Sequence, residues 1–142
     1  MRIARVLETC LYADDLSAGE QFYNKVLGLE IYSRVEGRHV FFRCGDAMFL
    51  LFNSAATERV TGPVPPHGAH GQGHVAFATR QSEMPIWREH LERSGIVIES
   101  EVVWPSGGQS LYIRDPAGNS VELASPSIWK LAELPLGSGI ER

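Results

Sequence analysis

The chain has 142 residues, 44% of them hydrophobic and 21% charged, with a formal net charge of −4. That is the make-up of an ordinary globular protein long enough to bury a real core. The acidic balance and the lack of any Lys/Arg run argue against a nucleic-acid or polyanion partner, and no apolar run approaches membrane-spanning length.

The N-terminus lacks the apolar core of a signal peptide, so a cytoplasmic location is expected. Arg5–Ala13 (RVLETCLYA) reads as a first strand, with Val6, Glu8, Cys10 and Tyr12 on one face and Leu7, Thr9 and Leu11 on the other. Asp15 or Ser17 is placed to cap a helix, and Ser17-Ala18-Gly19-Glu20 fits a capping box. Leu16, Phe22, Tyr23, Val26 and Leu27 recur at helical spacing, and Gly28 suits the residue just past the helix end.

Three strand-like runs follow, Leu29–Val35, His39–Cys44 and Met48–Asn53, with Glu36-Gly37 and Gly45-Asp46 at the turns. Arg34, Arg38, His39 and Arg43 gather basic character here. Arg38, His39 and Arg43 are candidates for contacting a substrate anion; ordinary exposed strand polarity is the plainer reading. Cys10 and Cys44 sit far apart with no metal-type spacing, each in an apolar run, which predicts buried, reduced thiols.

Ser54–Gln72 is a loop rich in Gly, Pro and His. Its His67 and His70, with the following His74, are a competing zinc cluster on spacing alone, but no cysteine or regular ligand pair supports it. The Pro and Gly around them fit a mobile loop or lid instead.

The second half repeats the plan. Gly73–Thr79 is a strand; Ser82 caps a helix carrying Met84, Trp87 and Leu91, with Pro85 tolerated in its first turn and Gly95 at its end. Ile96–Val103 is a strand, then comes the turn Trp104-Pro105-Ser106-Gly107-Gly108, and finally a hairpin, LYI and SVEL joined by Asp115-Pro116-Ala117-Gly118-Asn119. Trp104 and Tyr112 are candidates for a pocket wall or for aromatic core. Ile128, Trp129, Leu131 and Leu134 predict a short helix in the tail, whose last residues are expected to fray.

Side by side, the halves are two βαβββ modules, residues 3–54 and 72–125, joined by a loop over 55–71 and followed by a tail over 126–142, all within one domain. The expected fold is α+β, with curved mixed sheets and the helices outside. A pseudo-two-fold relation then makes Glu8 the counterpart of His74, and Leu50 or Leu51 the counterpart of Glu122. Glu122 is a carboxylate between Val121 and Leu123, costly to bury unless it meets a cation. Alone, it also fits a pairing with Arg114. Two carboxylates and an imidazole make a hard, anionic donor set for Mn, Fe, Co, Ni or Zn as the divalent ion.

The βαβββ repeat, the D-P-x-G-N-x-x-E-L hairpin, the G-H-V strand and the E-x-x-L-x-A-x-D-L stretch resemble the vicinal oxygen chelate superfamily, which includes glyoxalases, bleomycin-resistance proteins and extradiol dioxygenases. The resemblance implies metal ligands at Glu8, His74 and Glu122, with Glu standing where the family most often has His or Gln, and an apolar residue at the fourth position. It implies a lyase or isomerase of glyoxalase type, in which Glu8 or Glu122 moves a proton beside a metal-chelated pair of substrate oxygens. The alternatives are a metal-free binder of the bleomycin-resistance type and an Fe²⁺ extradiol dioxygenase. It also implies a small-molecule substrate and a homodimer, with each site either shared between subunits or held in an intrachain cup.

Overall fold

The computed structural model of the chain describes residues 1–135 and divides it into two compact units, one of residues 1–73 and one that begins at His74. In the first unit β1 (Glu8–Tyr12), α1 (Leu16–Gln21), β2 (Glu30–Val35), β3 (His39–Cys44) and β4 (Ala47–Phe52) form a mixed sheet of order β1-β4-β3-β2, with β1 parallel to β4. In the second, β5 (His74–Ala78), α3 (Met84–Arg93), β6 (Ser100–Val103), β7 (Gln109–Arg114) and β8 (Ser120–Ala124) give the order β5-β8-β7-β6, with β5 parallel to β8. The predicted βαβββ repeat is therefore present strand for strand.

Each sheet has one face closed by its own helix. In unit 1, Leu11, Val40, Phe42, Phe49 and Leu51 are buried together with Phe22 and Tyr23. The Tyr23 ring lies 4.6 Å from that of Phe49 and 5.8 Å from that of Phe42, so the tyrosine is a core residue. Asp15 caps α1 by accepting from the Ala18 N–H (2.9 Å), while Ser17 lies inside the first turn. The helix widens into a π-turn over Phe22–Val26, and Gly28, at φ +74°, lets the chain leave it.

In unit 2, α3 lies against β7 and buries Met84 and Leu91, over a sheet face that buries Leu111, Ile113, Val121 and Leu123. Ser82 does not cap α3: it falls in a 3₁₀ turn, Gln81–Glu83, that precedes the helix. The final hairpin is as its residues predict. Asp115 Oδ1 accepts from the N–H groups of Ala117 and Asn119, both at 2.9 Å, and Gly118 has φ +84°.

Other differences are local. The first strand begins at Glu8 because that is where pairing with β4 begins, opposite Met48. The sixth is only Ser100–Val103. The connecting loop contains a short helix, α2 (Ser54–Thr57), capped by Asn53 through the Ala56 N–H at 3.1 Å. That loop is pinned rather than free: His67 Nδ1 lies 2.6 Å from the Tyr12 hydroxyl, and His70 Nε2 lies 2.5 Å from Glu58 Oε1. Both cysteines are free but half-buried. The tail forms a 3₁₀ turn over Pro126–Trp129 that leaves Trp129 exposed; the end expected to fray lies outside the described residues. Among the described residues no helix is long and apolar enough to cross a membrane.

Candidate functional site

The helix-free face of the second sheet carries two of the candidate site residues, His74 and Glu122. Strand register puts His74 opposite Ser120, Ala76 opposite Glu122, and Tyr112 opposite Glu122 from the other side. Partners in register share a face, so His74, Glu122, Tyr112 and Ser110 project from the same side of the sheet.

Glu122 is 5% exposed, and its surroundings explain how a carboxylate is tolerated there. Ser110 donates from Oγ to Glu122 Oε1 at 2.5 Å, and Trp104 donates from its indole N–H to Ser110 Oγ at 2.8 Å. The Tyr112 phenol is raised above its usual range, by burial first and then by its hydrogen bond to Glu122 and that residue's charge. Arg114 is not the partner: it holds Glu99 through two hydrogen bonds of 2.7 and 3.1 Å.

Glu122 Oε2 faces His74 Nε2 at 3.4 Å. The other ring nitrogen, Nδ1, lies 3.1 Å from the Ser120 carbonyl oxygen. A carbonyl only accepts, so Nδ1 carries the proton, and in the neutral ring Nε2 presents its lone pair to a carboxylate oxygen. Two electron-pair donors facing each other need a proton or a cation between them. A charge-assisted N–H···O bond closes to about 2.7–2.9 Å. Two donors bound to one ion at about 2.0–2.2 Å and spread tetrahedrally stand roughly 3.3–3.6 Å apart. A carboxylate facing an imidazole in this way is a donor pair that suits a shared proton or a divalent transition-metal ion.

In unit 1, Glu8 begins β1 as His74 begins β5, and Glu8 pairs with Met48 as His74 pairs with Ser120. Counting along the strands makes Leu50 the counterpart of Glu122, which settles the choice between Leu50 and Leu51. Glu8 is exposed. Among the described residues no group of three or more His, Cys, Asp or Glu side chains is gathered as a metal cage, so the pair brought together is His74 with Glu122. The loop histidines go elsewhere, His67 to Tyr12 and His70 to Glu58.

The corresponding face of the first sheet is aromatic. His39 stacks on Phe41 with ring centres 3.8 Å apart, Phe41 meets Phe52 edge-on at 5.3 Å, and His67 covers Phe52 at 4.8 Å. Burial, and then the Arg38 charge, hold His39 below the usual imidazole range. The Tyr12 phenol is pushed up to about 12, chiefly by burial and then by Cys10. Arg38 donates to the Ala56 carbonyl at 3.1 Å, and the Arg43 guanidinium lies over the Tyr32 ring at 4.6 Å. Of the basic trio, Arg38 lines a small pocket of about 220 Å³ with Thr57 and His67, and His39 lines a larger one. The larger one is an open cleft of about 870 Å³ that His39 lines with Asp14, Glu20 and Arg34. Sequence reasoning missed Ser110, since a serine in a strand has no spacing signature.

The profile of the Glyoxalase/Bleomycin resistance protein/Dioxygenase superfamily matches residues 2–123. A search of curated proteins found no match. Among solved structures, the lactoylglutathione lyase from Agrobacterium tumefaciens is 43% identical, aligns over 92% of this chain and 100% of its own, and superposes with a TM-score of 0.89. A glyoxalase/bleomycin resistance protein/dioxygenase from Nocardioides is 25% identical over 88% of this chain and 85% of its own, with a TM-score of 0.70. The virulence protein STM3117 from Salmonella typhimurium, 24% identical over 88% of this chain and 98% of its own with a TM-score of 0.69, shares the fold.

Proposed function

Because the chain belongs to the Glyoxalase/Bleomycin resistance protein/Dioxygenase superfamily, we propose that it is a divalent-metal-dependent lyase or isomerase of glyoxalase type, acting on a small substrate with neighbouring oxygens. The observation that carries the reading is the facing pair of donors, His74 Nε2 and Glu122 Oε2, with the imidazole proton committed to the Ser120 carbonyl. The 43% identical lactoylglutathione lyase supports lyase chemistry.

In this reading His74 and Glu122 hold the ion, and Glu8, at the equivalent position of the first module, supplies a third donor. The two modules work as one domain, and a homodimer in the cytoplasm is the working form. The metal, when bound, acts as a Lewis acid toward a pair of substrate oxygens and stabilises negative charge on them. Glu8, exposed at the start of β1, takes the proton from the carbon beside the carbonyl and returns it once its carboxylate detaches from the ion. Tyr112 and Trp104 flank the reacting end of the substrate.

A second reading has its own observation. The stack of His39, Phe41 and Phe52 suits a flat ligand held without metal, as in a binding protein of the bleomycin-resistance type. One set of assays separates the readings. The enzyme reading expects lyase turnover, with lactoylglutathione as first substrate, that requires added metal and disappears in Glu122→Gln. Oxygen uptake with catechols would indicate a dioxygenase. Ligand binding indifferent to chelator and to Glu122→Gln would replace catalysis with sequestration.

A further inference from the structure

Ser110 and Trp104 form a hydrogen-bonded chain behind the carboxylate that has no equivalent in the first module. We propose that Trp104 and Ser110 are positioning residues that commit Glu122 to bind metal through Oε2 alone. This rests on the metal reading above.

The direction of the chain is fixed by chemistry. An indole nitrogen only donates, so Trp104 occupies an acceptor position on Ser110 Oγ at 2.8 Å. A carboxylate only accepts, so the single serine proton goes to Glu122 Oε1, at 2.5 Å. The Tyr112 hydroxyl, bonded to both Glu122 and Ser110, adds a third neighbour. Oε1 is engaged on the side away from His74, and Oε2 faces the imidazole. Ser110 is 1% exposed, so no bulk water competes for its hydroxyl.

Trp104 is itself held. Its N–H donates to the Gly108 carbonyl and its carbonyl accepts from the Gly107 N–H, both at 2.8 Å. Gln81 Nε2 donates to the Gly107 carbonyl at 2.9 Å, and a Cβ on Gly108 would strike the Ile128 backbone. The turn is thereby anchored from two sides. In the first module the positions equivalent to Glu122 and Ser110 are Leu50 and His39, and the chain is missing along with the carboxylate.

The test uses Co²⁺ alone with the full-length protein, by calorimetric titration and visible absorption. Ser110→Ala is expected to weaken Co²⁺ binding about 10–100-fold, the usual range for losing a partner of a metal ligand. Trp104→Phe is expected to weaken it about fivefold, the worth of one hydrogen bond. The double variant should bind no worse than Ser110→Ala, because Trp104 acts through Ser110. Ser110→Ala should also dim the visible Co²⁺ bands as Glu122 gains freedom to chelate with both oxygens; Ser110→Thr, which keeps the hydroxyl, should restore them. Trp104→Phe, at an exposed turn, keeps the test open if Ser110→Ala does not fold. Unchanged affinity and spectrum in both variants, while Glu122→Gln abolishes binding, would overturn this inference and leave the metal reading standing. Additive losses in the double variant would overturn the link between the two residues. No Co²⁺ binding by the wild-type protein would overturn both.

Discussion

Ala76, not His74, is the register partner of Glu122; His74 reaches the carboxylate diagonally from two residues earlier on β5, closing to 3.4 Å. Diagonal neighbours on a sheet face lie roughly 7–8 Å apart at Cα, so the imidazole must lean across the space that Ala76 leaves open. A methyl group at 76 is thus part of the site. Ala76→Leu should weaken Co²⁺ binding by at least about tenfold while moving the melting temperature little, because Ala76 is exposed. Metal titration and a melting curve on the same sample check this. Undiminished affinity would mean that His74 does not act across position 76.

Glu122→Gln tests the charge itself. Glu122 is buried, and a Gln there carries no charge to desolvate while its oxygen can still accept from Ser110, so the metal-free variant should melt no lower than the metal-free wild type. The wild type should gain about 2.7 kcal/mol of stability when metal is present at 100 times its dissociation constant. The variant should gain none. Equal gains in both proteins would place the metal elsewhere.

His39 gives the protein an acid-side weakness. Its folded-state pKa lies below 6.5, through burial and then the Arg38 charge. As pH falls through 6.5, the unfolded chain takes up a proton that folded His39 still refuses, so stability drops. The drop levels off once pH is below the folded value. His39→Phe, which keeps the stack on Phe41, should flatten thermal stability between pH 7 and pH 5 relative to the wild type. Parallel pH profiles would rule out His39 as the source.

Helix α1 approaches β4 through Gly19, where an added Cβ would collide with a δ-methyl of the fully buried Leu51. Alanine is favoured over glycine in a helix by about 0.5–1 kcal/mol. Overpacking a core costs about 1–3 kcal/mol, which outweighs that gain. Gly19→Ala should therefore destabilise the protein by about 1 kcal/mol or more, measured by urea denaturation. A stabilised variant would show that Leu51 moves aside freely.

The repeat and the last hairpin were legible because each has a spacing signature, whereas His74 and Glu122 were singled out through the repeat and the resemblance. Asp115-Pro116-Ala117-Gly118-Asn119 dictates its own turn, and helix-ending Gly28 and Gly95 (φ +74° and +72°) mark equivalent points in the two halves. Leu50 and Leu51 were indistinguishable in sequence, since one residue absorbed in a turn shifts a strand; pairing of Glu8 with Met48 and His74 with Ser120 decides it. Helix starts read less well, because Ser17 and Ser82 both carry capping chemistry that a neighbouring residue or turn displaced. Ser110 and the hydrogen bond from Trp104 were hidden, since they depend on how a five-residue turn returns the chain onto β7.

Anomalous diffraction from crystals grown with Co²⁺, recorded on either side of the cobalt edge, tests the central claim most directly. The account predicts a peak between His74 Nε2 and Glu122 Oε2, within coordinating reach of both and of a Glu8 carboxylate from the same or a second subunit. A fully occupied ion bound elsewhere, or a short His74–Glu122 hydrogen bond with no peak between the two side chains, would contradict it.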